Sequence, residues 1–145
     1  MLYGKRFTFG DVERASRLAL DEGVYYAHFL ILGGYGDTRE NVRETIENSR
    51  RMEYTVMFPY AGMRIYPHTR LAELAAKEGA IGRDDDLMAP SYYISRDFDL
   101  EEVRRAALAT GKAWVFPDDP QSALADTLRL KRNKKGPLWE YLRKP

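Results

Sequence analysis

The sequence predicts an α/β fold with parallel strands. Apolar segments at 25–32 and 54–58 have the character of strands, and amphipathic segments at 38–52 and 69–79, which follow them, have the character of helices. Strand–helix–strand–helix order implies parallel pairing with right-handed crossovers. At 145 residues, with 44% hydrophobic and 12% aromatic content, the chain is one domain of ordinary size with a real core.

The first helix is predicted from its ends. Thr8, followed three residues later by Asp11, is a typical N-cap, and Gly23 suits the position just past the C-terminus. The strand at 25–32 is a continuous apolar run, as in strands that a parallel sheet buries. The apolar stripe expected on the first helix consists of Val12, Ala15, Leu18 and Ala19.

The second helix is also predicted from its first turn. Asp37 with Glu40 indicates an acidic capping box for a helix over 38–52. The inner face of this helix is expected to be Val42, Ile46 and Ser49.

The second strand is expected to be long. The strand at 54–58 would continue through Pro-Tyr-Ala-Gly at 59–62 to Tyr66, where Pro67 ends it. Thr69 then caps a third helix, which Gly79 closes.

The texture of the sequence changes after Gly82, so we divide the chain into 1–82, which holds the strand–helix units, and 83–145, a C-terminal extension. A basic tail at 129–135, five basic residues in seven, is typical of a solvated helix end. The other elements expected in the extension are an edge strand at 91–94, a helix capped by Asp99 with Glu102, an apolar run at 114–116 and a helix starting at 119–120.

The amino-acid composition excludes several kinds of site and partner. The chain has no cysteine, which excludes disulfides, thiolate nucleophiles and cysteine-ligated clusters within it. The two histidines, His28 and His68, are too few for a histidine-based zinc site, and no metal-ligating residues are assigned. A net charge of +1 gives no global reason to expect nucleic acid or an anionic membrane. No apolar run is long enough for a membrane span and no signal peptide is recognisable, so we expect a cytoplasmic protein.

The first candidate site is the glycine-rich turn after the first strand. Gly33, Gly34, Tyr35, Gly36 and Asp37 lead into the second helix. Glycines let the backbone approach a ligand closely, and ligands of α/β proteins lie at the carboxyl ends of strands. The turn is neither a dinucleotide fingerprint nor a P-loop, and a simple strand–helix turn with an acidic cap is an equal alternative.

The second candidate site is the segment that ends the next strand. It places Arg64 among Tyr60, Tyr66 and His68. An arginine beside aromatic rings suits a carboxylate or a phosphate, held by a bidentate fork. The alternative is an exposed loop arginine with tyrosines that only pack, and His68 alone is more typical of a surface residue.

Together these segments resemble the last part of the radical S-adenosylmethionine barrel, in members with an upstream cobalamin-binding domain. The resemblance rests on Gly-Gly-Tyr-Gly-Asp-Thr at 33–38, Arg-Ile-Tyr-Pro-His-Thr-Arg-Leu at 64–71 and Ala-Ala-Lys-Glu-Gly at 75–79, and covers about 5–82. The departures from the family pattern are Tyr35 for proline, Asp37 for glutamate and His68 for glycine. The branch that it resembles most contains the anaerobic magnesium-protoporphyrin IX monomethyl ester oxidative cyclase.

The resemblance implies a fold and a function. The fold would be a fragment of a (β/α) barrel with an extension of helices and an edge strand. The intact enzyme would be an oxidoreductase that uses S-adenosylmethionine, a 4Fe–4S cluster and cobalamin on a small-molecule substrate. Residues 33–37 and Arg64 would line S-adenosylmethionine, and Tyr60, Tyr66 and His68 would face substrate. Because the family's cluster-binding cysteines are missing, the chain alone would hold none of these cofactors, contribute no catalytic residue and be inactive.

Two other functions stay open at the level of sequence. A truncated parallel sheet has an open strand edge at 25–32, which favours a non-catalytic module that self-associates as a dimer. The basic tail would suit a nucleic-acid-binding module, which is the less favoured alternative because the patch is short and only one aromatic residue, Trp139, follows it closely.

Overall fold

A computed structural model describes residues 5–117 and 136–145 of the chain. Within these residues the helices are α1 (Phe9–Asp21), α2 (Arg39–Asn48), α3 (Arg70–Lys77) and α4 (Leu100–Ala109). The strands are β1 (His28–Leu32), β2 (Val56–Ala61), β3 (Met63–Ile65), β4 (Ser91–Tyr93) and β5 (Ala113–Trp114). Two 3₁₀ turns span Ser49–Arg51 and Leu138–Leu142.

The main sheet is parallel and has the order β1-β2-β5. His28 lies opposite Met57 and Leu32 opposite Ala61, so β1 and β2 pair over their whole shared length. β5 joins the other side of β2, with Val56 opposite Ala113. The α/β class with parallel strands is therefore confirmed, whereas the assignment of this sheet to a barrel wall stays a prediction.

The long second strand predicted from the sequence is two strands. Gly62 interrupts the strand, because it has a φ of 74°, which only glycine adopts easily. Its N–H donates to the Leu32 carbonyl at 2.7 Å. Beyond it, β3 leaves the main sheet and pairs antiparallel with β4, placing Arg64 opposite Tyr92. The predicted edge strand at 91–94 corresponds to β4.

Most of the predicted helix starts are confirmed. Thr8 forms a capping box with Asp11, Thr69 accepts from the Ala72 N–H, and Asp99 accepts from the N–H groups at 101 and 102. These side chains satisfy amide donors that the first turn of a helix leaves without partners.

The predicted cap of α2 is wrong. Thr38, not Asp37, is the N-cap, and it forms the capping box with Asn41 instead of Glu40. The Asp37 carboxylate accepts from the Gly34 N–H at 3.0 Å, so it closes the preceding turn and is one residue too early to cap the helix. The predicted inner face of Val42, Ile46 and Ser49 is buried, as expected.

Helices α1, α2 and α4 pack on one face of the main sheet, where they form the larger hydrophobic core, whereas α3 packs in a smaller core beside β3 and β4. The strands contribute Leu32, Met57 and Trp114 to the larger core. Val115 and Phe116 follow β5, and of these two residues Phe116 belongs to the larger core. Because α4 and β5 come from the segment after residue 82, that segment shares the core of the segment before it. Helix residues buried in this core are Val42, Ile46, Val103 and Ala107.

The predicted stripe on α1 is partly wrong. Leu18 is 62% exposed and Ala15 is also exposed, whereas Ser16 is buried. Leu18 lies two residues, about 200° of helix rotation, from Ser16, so both cannot face the sheet. Val12 and Ala19 are half-buried, in agreement with the prediction.

The continuous burial expected for the first strand is also wrong. Phe29 is 69% exposed and Ile31 is 51% exposed, because α1, α2 and α4 cover the face that carries His28, Leu30 and Leu32. Among the described residues, no helix covers the other face of the parallel sheet.

No helix within 5–117 or 136–145 has the length and apolar character needed to cross a membrane. The helix predicted to start at 119–120 and the basic tail at 129–135 lie outside the described residues.

Candidate functional site

The glycine-rich turn follows β1 and is packed by a later segment of the chain. Gly33 has a φ of 72°, and its carbonyl accepts from the Ser95 N–H at 2.8 Å. A Cβ at Gly33 would lie 2.3 Å from the ring of Phe98. The close approach that this glycine permits is therefore made by the chain's own segment 95–98.

Asp37 holds the turn in shape. Its carboxylate accepts from the Gly34 N–H at 3.0 Å, and its own N–H donates to the Gly34 carbonyl at 3.0 Å. Gly36, which lies between Gly34 and Asp37 in this turn, has a φ of 79° and is exposed. The backbone around Gly36 is the part of the turn that a ligand could approach.

Tyr35 points into a second, smaller hydrophobic core. Its ring meets Tyr93 edge-on, with centroids 5.5 Å apart. The Tyr93 hydroxyl donates to Glu78 at 2.7 Å, and this carboxylate raises the pKa of Tyr93 to about 12. The buried members of this core are Ile65, Ala75, Leu87 and Tyr93.

Arg64 lies on the exposed side of the β3–β4 pair. Its guanidinium carbon is 4.9 Å from the centroid of the Tyr66 ring, and Tyr92 is its neighbour across the pair. Tyr66 and Tyr92 are each 54% exposed. An exposed guanidinium beside an aromatic ring can form a bidentate contact with a carboxylate or phosphate while the ring stacks beside the ligand. Tyr92 was not predicted as a site residue from the sequence, because only the antiparallel register of β3 and β4 places it opposite Arg64.

His68 and Tyr60 are at separate places. His68 is exposed just before α3 and has a φ of 60°, the left-handed conformation that glycine adopts most easily. Tyr60 lies on β2, and its ring centroid is 6.3 Å from that of Phe29 on β1. The predicted site residues therefore occupy the turn at 33–37, the β3–β4 pair with the loop after it, and the main sheet.

The side of the main sheet away from the helices, which we call the open face, carries Phe29, Ile31, Phe58 and Tyr60. In the parallel register Phe29 lies opposite Phe58 and Ile31 opposite Tyr60, so these side chains share one side. The rings of Phe29 and Phe58 stack with centroids 5.1 Å apart and planes 16° apart. Nothing in the continuous apolar run of β1 distinguishes Phe29 from its neighbours, so its exposure could not be found from the sequence.

His28 lies on the opposite, helix-covered side of β1. Its Nε2 is 3.3 Å from the Ser16 hydroxyl oxygen, and the Tyr26 ring meets it edge-on at 5.4 Å. Burial lowers the pKa of His28, because the charged imidazolium is poorly solvated there. Within 5–117 and 136–145, no three histidine or carboxylate side chains are grouped so that they could hold a metal ion.

Comparisons of the chain with models of protein families, with curated proteins and with solved structures found no match.

Proposed function

We propose that this chain is the C-terminal part of a radical S-adenosylmethionine oxidoreductase of the cobalamin-binding type, similar to the magnesium-protoporphyrin monomethyl ester cyclase branch. It would supply part of the wall around S-adenosylmethionine and substrate. The observation that carries the proposal is the open face of the parallel sheet.

An all-parallel sheet is normally covered on both faces, by helices on both sides or by closure into a barrel with helices outside. Here α2 and α4 pack on one face, whereas Phe29 and Ile31 on the other are 69% and 51% exposed. The strands β1 and β2 are neighbours both in the sheet and along the chain, as successive strands of a barrel are, and β5 joins β2 after β3 and β4 have paired in a separate sheet. Both features support a barrel wall whose inner surface is the open face.

The candidate residues are assigned to this function as follows. The turn at 33–37 would approach the adenosyl group through its backbone, and Arg64 would bind a carboxylate of S-adenosylmethionine. Tyr60, Tyr66 and His68 would contact substrate.

The cluster does not fit this chain, because it has no cysteine to ligate iron. Reductive cleavage of S-adenosylmethionine is therefore not assigned to any residue here. The three cysteines of the family motif would have to come from a separate segment.

The test begins with the coding sequence next to the region that encodes this chain. We expect an upstream Cys-x-x-x-Cys-x-x-Cys motif in the same reading frame. The protein encoded by that whole frame, purified without oxygen, should then form 5′-deoxyadenosine from S-adenosylmethionine under reducing conditions. A frame without the motif would contradict the proposal.

Variants of the whole protein test the role of Arg64. Arg64→Lys should raise the KM for S-adenosylmethionine about tenfold, since lysine loses the bidentate contact. Arg14→Lys is the matched control, because Arg14 is exposed on α1 and pairs with Asp11. An unchanged KM in Arg64→Lys would remove Arg64 from the site.

A second candidate function is a self-associating module. Among the described residues β1 pairs only with β2, so its other edge presents unpaired backbone groups. The strand sequence His-Phe-Leu-Ile-Leu has no lysine, proline or other device that usually protects an edge. A second copy could pair with this edge.

Sedimentation velocity tests self-association of the chain. We expect a dimer that Ile31→Lys dissociates, because a lysine on an edge strand opposes pairing. Leu18→Lys is the control, since Leu18 is equally apolar, 62% exposed, and on α1 instead of the edge. A chain that is monomeric at every concentration would exclude this function.

A further inference from the structure

Residues 63–93, which hold β3, α3 and β4, pack around the smaller core, and we call them the β3–β4 unit. Among the described residues, the smaller core and the larger core of the main sheet have no member in common. The smaller core has four buried members and the larger core has nine, so the β3–β4 unit is held by less buried apolar surface.

The elements of the β3–β4 unit are tied to one another. β3 and β4 pair in antiparallel register along Met63–Ile65. The Tyr93 hydroxyl on β4 donates to the carboxylate of Glu78, the residue that ends α3, at 2.7 Å. A hydrogen bond to a carboxylate is stronger than one between neutral groups. The strand pair and the helix therefore form one body.

The β3–β4 unit joins the main sheet at two places that lie side by side. Before the unit, Gly62 donates its N–H to the Leu32 carbonyl at 2.7 Å. After the unit, Ser95 donates its N–H to the Gly33 carbonyl at 2.8 Å. These two carbonyls belong to consecutive residues, so the chain enters and leaves the unit at the end of β1. Hinges are typically a few residues at the ends of elements, as here.

The Tyr35 side chain connects the glycine-rich turn to the β3–β4 unit. Of the described residues that form or pack against the smaller core, Tyr35 alone lies outside 63–93. Its ring meets the Tyr93 ring edge-on, with centroids 5.5 Å apart. The turn itself is held by the main sheet, because Gly33 contacts Phe98, which packs against the larger core.

We infer that the β3–β4 unit opens as one body about Gly62 and Ile94 while the main sheet and the larger core stay folded. Opening withdraws the Tyr35 ring from the smaller core. It also moves Arg64, which β3 carries, relative to the glycine-rich turn, which stays on the main sheet. The effect of this movement on a ligand rests on the proposed function, which assigns Arg64 and the turn to one molecule. The opening itself does not depend on that assignment.

Amide hydrogen exchange of the chain, measured by NMR under native conditions, tests the opening. Amides that open together exchange with one opening free energy, which is lower for a less stable part of a fold. We expect the protected amides of β3, α3 and β4 to exchange as a group, more than about tenfold faster than those of β1 and β2. Equal protection of the two groups would overturn the inference.

A pair of variants separates the two bodies. Tyr93→Phe keeps the ring and loses the bond to Glu78, so it should speed exchange in the β3–β4 unit about tenfold and leave β1 and β2 unchanged. Tyr26→Phe is the matched control, because the Tyr26 hydroxyl donates to the Glu53 carbonyl at 2.6 Å, outside the unit. It should leave exchange in the β3–β4 unit unchanged. Acceleration of both groups by the same factor in Tyr93→Phe would mean a single cooperative body and would overturn the inference.

Tyr35→Leu provides a second test that keeps the Glu78 bond intact. Losing the ring that crosses from the turn should speed exchange in the β3–β4 unit and leave β1 and β2 unchanged. An unchanged rate in the β3–β4 unit would exclude Tyr35 as the connection and overturn the inference.

The upstream cysteine motif separates this inference from the proposed function. If the two groups of amides exchange separately and the motif is missing, the proposed function fails and the opening stands. If the motif is present and all protected amides exchange together, the opening fails and the proposed function stands.

Discussion

Gly33 shows how a single residue links the glycine-rich turn to the rest of the fold. Its φ of 72° is costly for any other residue, and Phe98 occupies the space where a Cβ would be. The glycine-rich sequence signalled a close approach to the backbone. The structure shows that the approaching group includes a side chain of the same protein.

Gly33→Ala should therefore destabilise the fold by about 2–4 kcal/mol, from left-handed strain plus overpacking. Gly23→Ala is the matched control, because Gly23 has a φ of 66° but no atom within 4 Å of its Cβ position. It should cost only the strain, about 1–2 kcal/mol. Urea unfolding of both variants measures the difference, and equal losses would show that Phe98 moves aside at no cost.

His28 should make stability depend on pH. Its pKa is lowered in the folded chain because burial disfavours the charged ring. Between that pKa and the unfolded value of about 6.5, the unfolded chain binds more protons, so stability falls as the pH drops below about 6.5. Unfolding free energies of wild type and His28→Gln should show a smaller acid loss in the variant. Identical pH profiles would contradict this assignment.

At the scale of elements, α2 and α4 are joined by an ion-pair cluster. Glu102 on α4 accepts hydrogen bonds from Arg39 and Arg43 on α2. These bonds, that of Arg39 first, lower the pKa of Glu102 to about 2. Glu102 is 63 residues from Arg39 and 59 residues from Arg43 in the sequence, so only the packing of the two helices reveals the cluster.

Glu102→Gln should reduce stability at neutral pH and lose its effect in acid. A carboxylate with a lowered pKa stabilises the fold above its unfolded pKa of about 4.3, and that contribution disappears as the pH falls towards about 2. Denaturant midpoints from neutral pH to about pH 2 measure this difference. Glu101→Gln is the control, since Glu101 is 74% exposed on the same helix and 3.8 Å from its partner Arg104. A difference that persists in acid would point to packing instead of charge.

At the scale of the whole molecule, the C-terminal segment lies against the start of β2. The Tyr54 N–H donates to the Lys144 carbonyl at 2.7 Å, and Thr55 and Lys144 form an antiparallel bridge. Trp139 in the preceding 3₁₀ turn is half-buried and lines a groove on the open face together with Phe29, Phe58 and Tyr60. This end of the chain therefore covers part of the face that the described helices leave exposed.

Trp139→Ala should destabilise the fold by about 1–3 kcal/mol, less than the loss for a fully buried tryptophan because the ring is partly exposed. Lys144→Ala is the control: its backbone makes the bridge, its side chain is exposed, and we expect a change within about 0.5 kcal/mol. Thermal unfolding compares them. A Trp139→Ala protein as stable as wild type would show that the segment does not support the fold.

Local signals in the sequence determined the order of helices and strands, the parallel pairing and most of the caps, including Thr8, Thr69 and Asp99. They could do so because caps and periodic patterns act over a few residues. The exposed face of β1, the contact of Phe98 with Gly33 and the pairing of Tyr92 with Arg64 were decided by the tertiary structure. Each depends on which distant segment packs on which side of the sheet, and no local pattern carries that choice.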